Sequence, residues 1–151
     1  MIEIYTDGAC AMHTTRQGGW AYATTFDSEL SRSESGTVHE TTNNRMELLA
    51  VIFALEGINT TDRIDLISDS AYVVNCINQQ WYTGWKYNGW KNANGGDVAN
   101  RDLWERLLKI LESLRVTFVH MRGHGKDRTV PARYLKYNDL VDKLANAASL
   151  S

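Results

Sequence analysis

Apolar and polar residues alternate along the first part of the chain, and this pattern predicts three successive strands. Residues 2–6 alternate strictly, Trp20 to Phe26 is a second run, and residues 30–40 alternate more weakly. A period of two residues is typical of strands with one buried face. We expect the third strand to pair antiparallel with its neighbours.

The period changes to that of a helix over residues 43–56, where Met46, Leu49 and Phe53 fall three or four positions apart. The elements predicted beyond it are a strand at Ile64 to Ile67, a helix at about 70–79, an irregular stretch with one helical turn at 81–100, a helix at 101–113, a strand at Val116 to His120, a loop at 122–137 and a helix at 138–149. Strands mixed with covering helices predict one layered α/β domain over residues 1–151.

Composition narrows the class of protein. The chain is 43% hydrophobic and 23% charged, as in ordinary globular proteins, and no apolar run reaches the roughly 18 residues of a membrane span. The N-terminus shows no export-signal pattern, and Cys10 and Cys76 lack a CxxC spacing, which favours free thiols in a reducing compartment. We therefore expect a cytoplasmic protein.

Charge is distributed unevenly, although the net charge is only −2. Residues 80–136 contain eleven Lys and Arg against five Asp and Glu, so the rest of the chain is acidic. A basic half beside an acidic half suits a polyanion lying next to metal-binding carboxylates, but chance patterning of a solvated surface explains it equally well.

Four carboxylates stand where the predicted chain changes direction. Asp7 and Asp69 end two predicted strands, Glu47 is in the first turn of a helix, and Asp142 is in the last helix. Ends of adjacent strands lie about 5 Å apart, so the two aspartates can share one site, to which a helix could add a third acid. All-oxygen ligands suit Mg²⁺ or Mn²⁺, and two such ions about 4 Å apart can activate water against a phosphodiester.

Each acid also has an ordinary structural interpretation. Asp7 before Gly8 fits a turn, and Asp69 fits a helix cap. Glu47 follows Asn44 at the spacing of a capping box, and Asp142 is near the start of the predicted last helix, where acids match the helix dipole. Taken one at a time, none of the four is diagnostic.

The four acids stand within a longer ordered set of motifs. These are Thr6-Asp7-Gly8-Ala9-Cys10, Thr42-Asn43-Asn44-Arg45-Met46-Glu47-Leu48, Ser68-Asp69-Ser70, Trp85-Lys86-x-x-Gly89-Trp90-Lys91, Gly123-His124-Gly125 and Asn138-x-x-x-Asp142-x-Leu144-Ala145. Taken together, the motifs resemble those of bacterial type 1 ribonuclease H. The resemblance covers residues 2 to about 149, and its most specific piece is the segment from Thr42 to Leu48.

The resemblance implies a five-stranded mixed sheet, three antiparallel strands then two parallel, with helices on both faces. It implies an endonuclease that hydrolyses the RNA strand of RNA–DNA hybrids with divalent metal, leaving 5′-phosphate and 3′-hydroxyl ends. Asp7 would bridge two Mg²⁺ (or Mn²⁺) ions, and Glu47, Asp69 and Asp142 would complete the ligand set. His124, between two glycines, would assist proton transfer or product release; an exposed loop histidine is the alternative.

Substrate contacts follow from the same resemblance. Asn43 and Asn44 would contact the minor groove of the hybrid, where 2′-hydroxyls distinguish RNA from DNA. Gly8 and Cys10 would approach the RNA backbone. The remaining implied contacts are a DNA-strand phosphate pocket at Thr42 and Asn100 and a DNA channel lined by Trp85, with Trp90 as a packing residue. We expect a monomer with no membrane partner.

The chain departs from the family pattern at several positions. Ala71 replaces a glutamine that contacts the hybrid, Glu40 replaces an arginine beside the phosphate pocket, and a common asparagine contact maps to His13. The aromatic protrusion has fewer basic residues than in well-known bacterial members. We hypothesise that a longer loop partly restores that charge through Lys126, Arg128, Arg133 and Lys136.

Two other functional classes remain. One is a nuclease of related fold, such as a DNA exonuclease or a strand-transfer enzyme, against which the Asn-Asn-Arg-Met-Glu stretch argues. The other is a nucleic-acid-binding module without catalysis, against which the presence of all four acids argues.

Overall fold

The computed structural model describes residues 1–11, 16–122 and 128–151. His13 and His124, with Lys126, lie outside the described residues. The elements, in chain order, are β1 (Ile2–Cys10), β2 (Gly18–Phe26), β3 (Glu29–Val38), α1 (Asn43–Glu56), β4 (Arg63–Ser68), α2 (Ala71–Asn78), α3 (Trp81–Tyr87), α4 (Arg101–Leu111), β5 (Arg115–His120) and α5 (Ala132–Ser149).

The five strands form one mixed sheet in the order β3-β2-β1-β4-β5. β1 pairs antiparallel with β2, and β2 pairs antiparallel with β3. β4 pairs parallel with both β1 and β5, so β1 stands at the change from antiparallel to parallel pairing. The predicted fold class is confirmed.

Helices cover both faces of the sheet, because successive side chains of each strand point to opposite sides. Ile2 and Ile4 of β1 belong to the larger apolar core, which α1, α2 and α4 close. Tyr5 belongs to the smaller core, which it shares with Tyr137 and Val141 of α5. Glu3 and Asp7 alternate with the isoleucines and therefore lie on the α5 side of β1.

Three predicted boundaries were wrong. β1 continues past Asp7 to Cys10, because residues 7–10 pair with residues 18–21 of β2. The segment expected to be irregular with one turn contains the seven-residue α3, whose Trp85 packs on Trp104 with ring centroids 5.7 Å apart. α5 begins at Ala132, not at residue 138, directly after Pro131, and proline is favoured at helix starts.

The described helices include none that is both long and apolar enough to cross a bilayer. Cys10 and Cys76 are both free thiols.

Candidate active site

Four structural elements bring the predicted acids to one pocket. Asp7 is on β1, and Asp69 follows β4, whose Ser68 pairs with Thr6 of β1. Glu47 extends from α1 and Asp142 from α5. The pocket has a volume of about 550 Å³, and its walls are Asp7, Gly8, Ala9, Cys10, Asn43, Asn44, Glu47, Asp69, Ser70, Ala71, Tyr72, Asp142 and Asn146.

Three of the acids are close enough to share a cation. One carboxylate oxygen from each of Asp7, Glu47 and Asp69 lies within 4.8 Å of the others. Asp142 lies outside that triad but within hydrogen-bonding reach of Asp7. Asn146, one turn further along α5, donates to Asp142 Oδ1 at 3.3 Å and to the Asp142 carbonyl at 2.8 Å. The site is therefore a triad of one buried and two partly buried acids, with a fourth acid beside it.

Two glycines allow the helices that carry Glu47 and Asp142 to approach the sheet this closely. A Cβ on Gly8 would stand 2.4 Å from the backbone nitrogen of Glu47, and a Cβ on Gly19 would stand 2.2 Å from the carbonyl oxygen of Ala145. Real Cβ atoms do not come this close to backbone atoms, so any side chain would displace the helix. Gly8 thus allows α1 to pack closely against β1 and also lines the pocket.

The ordinary interpretations of Asp7 and Asp69 do not fit the structure. Asp7 is inside a continuous strand and only 5% exposed, which excludes a turn position. The cap of α2 is Ser70, whose Oγ accepts from the Val73 backbone nitrogen at 3.3 Å. Asp69 is therefore not needed as a cap.

The ordinary structural interpretations of Glu47 and Asp142 do not fit the structure either. Thr42 caps α1, accepting from the Arg45 backbone nitrogen at 3.2 Å, so Asn44 and Glu47 do not form a capping box. Asp142 is in the interior of α5, three turns beyond its true start at Ala132, and the dipole effect is confined to the first turn. A capping box therefore does not explain the position of Glu47, and the helix dipole does not explain that of Asp142.

The electrostatics of the triad favour an added cation. Burial, together with the charge of Asp69, raises the pKa of Asp7 to about 8. Burial and the charges of Asp7 and Asp69 raise the pKa of Glu47 well above its ordinary value. Within the described structure, Glu47 Oε2 is buried without a hydrogen-bond partner. Because clustered acids repel when ionised, a divalent ion would stabilise the arrangement.

Comparison with known proteins agrees with this geometry. The RNase H family model matches residues 1–150. A protein named Ribonuclease H from Chlorobaculum parvum is 43% identical over 148 residues, covering 97% of this chain and 94% of its own length. The chain belongs to the ribonuclease H family. A Ribonuclease H from Syntrophomonas wolfei is 41% identical, with the same coverage of both chains.

Solved structures of ribonuclease H domains share this fold. LC9-RNase H1, described as a type 1 RNase H with the type 2 active-site motif, aligns with a TM-score of 0.76 at 25% identity, covering 97% of this chain and 72% of its own. LC11-RNase H1, solved in complex with RNA/DNA hybrid, aligns over the whole of both chains with a TM-score of 0.68 at 24% identity.

The substrate residues expected of a ribonuclease H fall into three groups. Gly8, Cys10, Asn43 and Asn44 line the carboxylate pocket. Thr42 lines an adjoining groove of about 420 Å³, which shares Asn43 and Asn44 with the pocket.

Asn100 and Trp85 line neither cavity. Asn100 accepts from Arg45 Nη1 at 3.3 Å and donates to the Tyr72 hydroxyl at 3.2 Å, so it is tied to the pocket wall through Tyr72. Trp85 is half-buried against Trp104, and Trp90 is buried.

The hypothesis of a basic loop needs correction at Arg133. Its guanidinium is committed to Glu3, with Nε–Oε1 at 2.8 Å and Nη2–Oε2 at 2.9 Å. Lys136 lies over the Tyr137 ring, 5.2 Å from its centroid, and Arg128 is exposed. Sequence reasoning placed Arg133 and Lys136 in a loop because it began the helix too late, whereas Arg128 does precede α5.

Sequence reasoning missed three residues of the site. Arg16 lines the adjoining groove, Tyr72 lines the pocket while accepting from Asn100 and Trp104, and Asn146 holds Asp142. A helical spacing of four residues from Asp142 could have indicated Asn146. No local pattern marks Arg16, whose position depends on the fold.

Proposed function

We propose that the protein is an endonuclease that hydrolyses the RNA strand of RNA–DNA hybrids by metal-assisted cleavage, leaving 5′-phosphate and 3′-hydroxyl ends. The observation that carries the proposal is the convergence of Asp7, Glu47 and Asp69 within 4.8 Å, with Asp142 beside them, in a chain of the ribonuclease H family. The LC11-RNase H1 structure contains an RNA/DNA hybrid, which supports the choice of substrate.

The donor set suits divalent cations. Asp7, Glu47, Asp69 and Asp142 offer only carboxylate oxygens, which hard ions such as Mg²⁺ or Mn²⁺ prefer. The buried, unpartnered Glu47 Oε2 and the raised pKa of Asp7 are the features that a cation would relieve. Two bound ions would supply charge neutralisation at the phosphate and an acidified water. The acids would fix the place where that chemistry occurs.

The rim of the pocket would position the hybrid. Asn43 and Asn44 stand where pocket and groove meet, and their amides can donate to and accept from 2′-hydroxyls in the minor groove. Gly8 and Cys10 would pass close to the RNA backbone. Arg16 adds a cation in the groove next to Thr42, where a phosphate would be attracted.

Other roles rest on the family resemblance. Thr42 and Asn100 would hold a DNA-strand phosphate, and Trp85 would line the DNA channel. His124 would assist proton transfer or product release. We also propose that the protein acts as a monomer in the cytoplasm, where its two free thiols would stay reduced.

One assay separates this proposal from its alternatives. Uniformly labelled RNA–DNA hybrid, DNA duplex and single-stranded RNA are incubated with the protein and Mg²⁺. We expect internal cuts in the RNA strand of the hybrid alone. Degradation of the DNA duplex would indicate a DNA nuclease of related fold, and hybrid binding without cleavage would indicate a non-catalytic module.

A further inference from the structure

An ion pair with a buried carboxylate joins the first turn of α5 to the first strand. Glu3 is 1% exposed, and Arg133 contacts both of its carboxylate oxygens. The Tyr5 hydroxyl donates to Glu3 Oε1 at 2.9 Å. Such bidentate pairs fix geometry in two directions because both nitrogens must stay in the carboxylate plane.

The ion pair and the active-site acids lie on the same side of the same strand. Glu3, Tyr5 and Asp7 alternate along β1 and all face α5. Arg133 meets Glu3 near the start of both elements, and Asp142 reaches Asp7 further along both. Between them, Tyr5 packs against Tyr137 with ring centroids 5.2 Å apart.

The distance from Glu3 to Asp7 along β1 matches the distance from Arg133 to Asp142 along α5. Four strand residues from Glu3 to Asp7 span about 13 Å at 3.3 Å per residue. Nine helical residues from Arg133 to Asp142 rise about 13.5 Å at 1.5 Å per residue. The ion pair at one end therefore fixes the position of α5 along β1, and this position brings Asp142 to Asp7 at the other end.

Rotation of the helix is constrained as well. At about 100° per residue, Arg133 and Asp142 are half a turn apart around α5, on opposite flanks of the face that packs on the sheet. If α5 rolled about its axis, moving Asp142 away from the pocket, Arg133 would have to leave Glu3. The apolar contacts of Val141 and Ala145 alone would resist such a roll weakly because dispersion forces are not directional.

We propose that the Glu3–Arg133 pair is a positioning device for catalysis: it holds α5 in the register and rotation that place Asp142 at the Asp7 pocket. The proposal rests on the proposed function, in which Asp142 takes part in binding divalent ions. Arg133 thus acts through Asp142 rather than by contacting substrate, unlike the basic-loop role expected from the sequence.

The test compares Arg133→Met with Arg106→Met. Arg106 also forms a two-nitrogen pair with a glutamate, Glu56, but joins α4 to α1 away from the pocket. Mg²⁺ affinity is measured by calorimetry without substrate, and kcat and KM for the hybrid are measured at fixed Mg²⁺. We expect Arg133→Met to weaken Mg²⁺ binding about tenfold, as loss of a residue supporting a ligand does, and to lower kcat with KM unchanged. Arg106→Met should change neither.

Arg133→Lys keeps one charged donor and serves as the conservative variant; thermal unfolding confirms that each variant is folded. We expect Arg133→Lys to bind Mg²⁺ more tightly than Arg133→Met and more weakly than the wild type. If Arg133→Met does not fold, the comparison of Arg133→Lys with the wild type decides the test, and we expect a loss of Mg²⁺ affinity smaller than tenfold. Unchanged Mg²⁺ affinity and kcat in a folded Arg133 variant would overturn the proposal. A wild-type protein that neither binds Mg²⁺ nor cleaves hybrid would instead refute the proposed function.

Discussion

Two buried carboxylates on the same side of β1 have opposite surroundings. Glu3 is 1% exposed and Asp7 is 5% exposed, and both face α5. Glu3 meets a guanidinium and a tyrosine hydroxyl, whereas Asp7 faces Glu47, Asp69 and Asp142. Glu3 and Asp7 are therefore buried to a similar extent, but the neighbouring charge is positive at Glu3 and negative at Asp7.

The difference separates an acid that stabilises the fold from an acid kept for function. Burial raises the pKa of Glu3, but hydrogen bonds from Arg133 and Tyr5 together bring it below the ordinary value. Burial raises the pKa of Asp7 too, and there Asp69 adds to the effect. Among the described residues, Arg133 supplies the cation at the Glu3 end, whereas the acids at the Asp7 end face one another and would be balanced by a bound cation.

The largest expected effect is on catalysis at the Asp7 end. Asp7→Asn removes a charge and one ligand oxygen, so hybrid cleavage should fall more than about 100-fold, beyond the loss typical of residues that only support ligands. Initial rates at saturating Mg²⁺ measure this. Asp65→Asn is the matched control, because Asp65 pairs with Arg63 on the neighbouring strand. Near-normal cleavage by Asp7→Asn would contradict the assignment.

The second prediction concerns stability at the Glu3 end. Arg133→Met leaves Glu3 buried without its counter-ion and should cost about 3 kcal/mol of unfolding free energy. Glu3→Gln should cost less, because the Arg133 side chain is 32% exposed and can be hydrated. Urea unfolding without metal measures both. Equal costs, or no cost, would mean that the pair is not buried as described.

The two ends should also respond oppositely to pH in metal-free protein. The folded pKa of Asp7 is about 8 against an ordinary 3.8, so its ionisation destabilises the fold as pH rises through that interval. The folded pKa of Glu3 is below the ordinary 4.5, so its stabilisation is lost as pH falls below about that value.

Denaturation at a series of pH values checks these signs. Asp7→Asn should flatten the decline in stability between about pH 4 and pH 8, and Glu3→Gln should reduce the loss of stability below about pH 4.5. If Asp7→Asn changes the stability only at acid pH, the pKa directions assigned to Asp7 and Glu3 are the wrong way round.

The smallest expected effect is on the salt dependence of hybrid binding, which should distinguish Arg16, in the groove, from Arg133, which pairs with Glu3. Arg16→Ala should flatten the slope of log hybrid affinity against log salt by about 0.7–0.9, one phosphate contact. Arg133→Met should leave the slope unchanged, because Glu3 holds its guanidinium. Affinities measured in Ca²⁺, over a range of salt, decide this. A slope that changes in Arg133→Met and not in Arg16→Ala would reverse the assignment.

Local sequence signals predicted much of the fold. α1 occupies residues 43–56, the range that helical periodicity predicts, and the structure shows that Thr42 caps it. The start of α5 was missed although Pro131 marks it locally, whereas the pairing of Arg133 with Glu3, 130 positions away, leaves no local trace. The same limit hid Arg16 and Tyr72. The four acids were found because the motifs around them match a known family.

Calorimetric titration of metal-free protein with Mg²⁺ tests the central claim most directly, since it measures whether the Asp7 end accepts the cation that the fold does not supply. Wild type and Asp65→Asn should bind Mg²⁺ with the same affinity, and Asp7→Asn should show little or no binding while remaining folded. Equal binding by wild type and Asp7→Asn would show that the acids of this pocket are not the metal site.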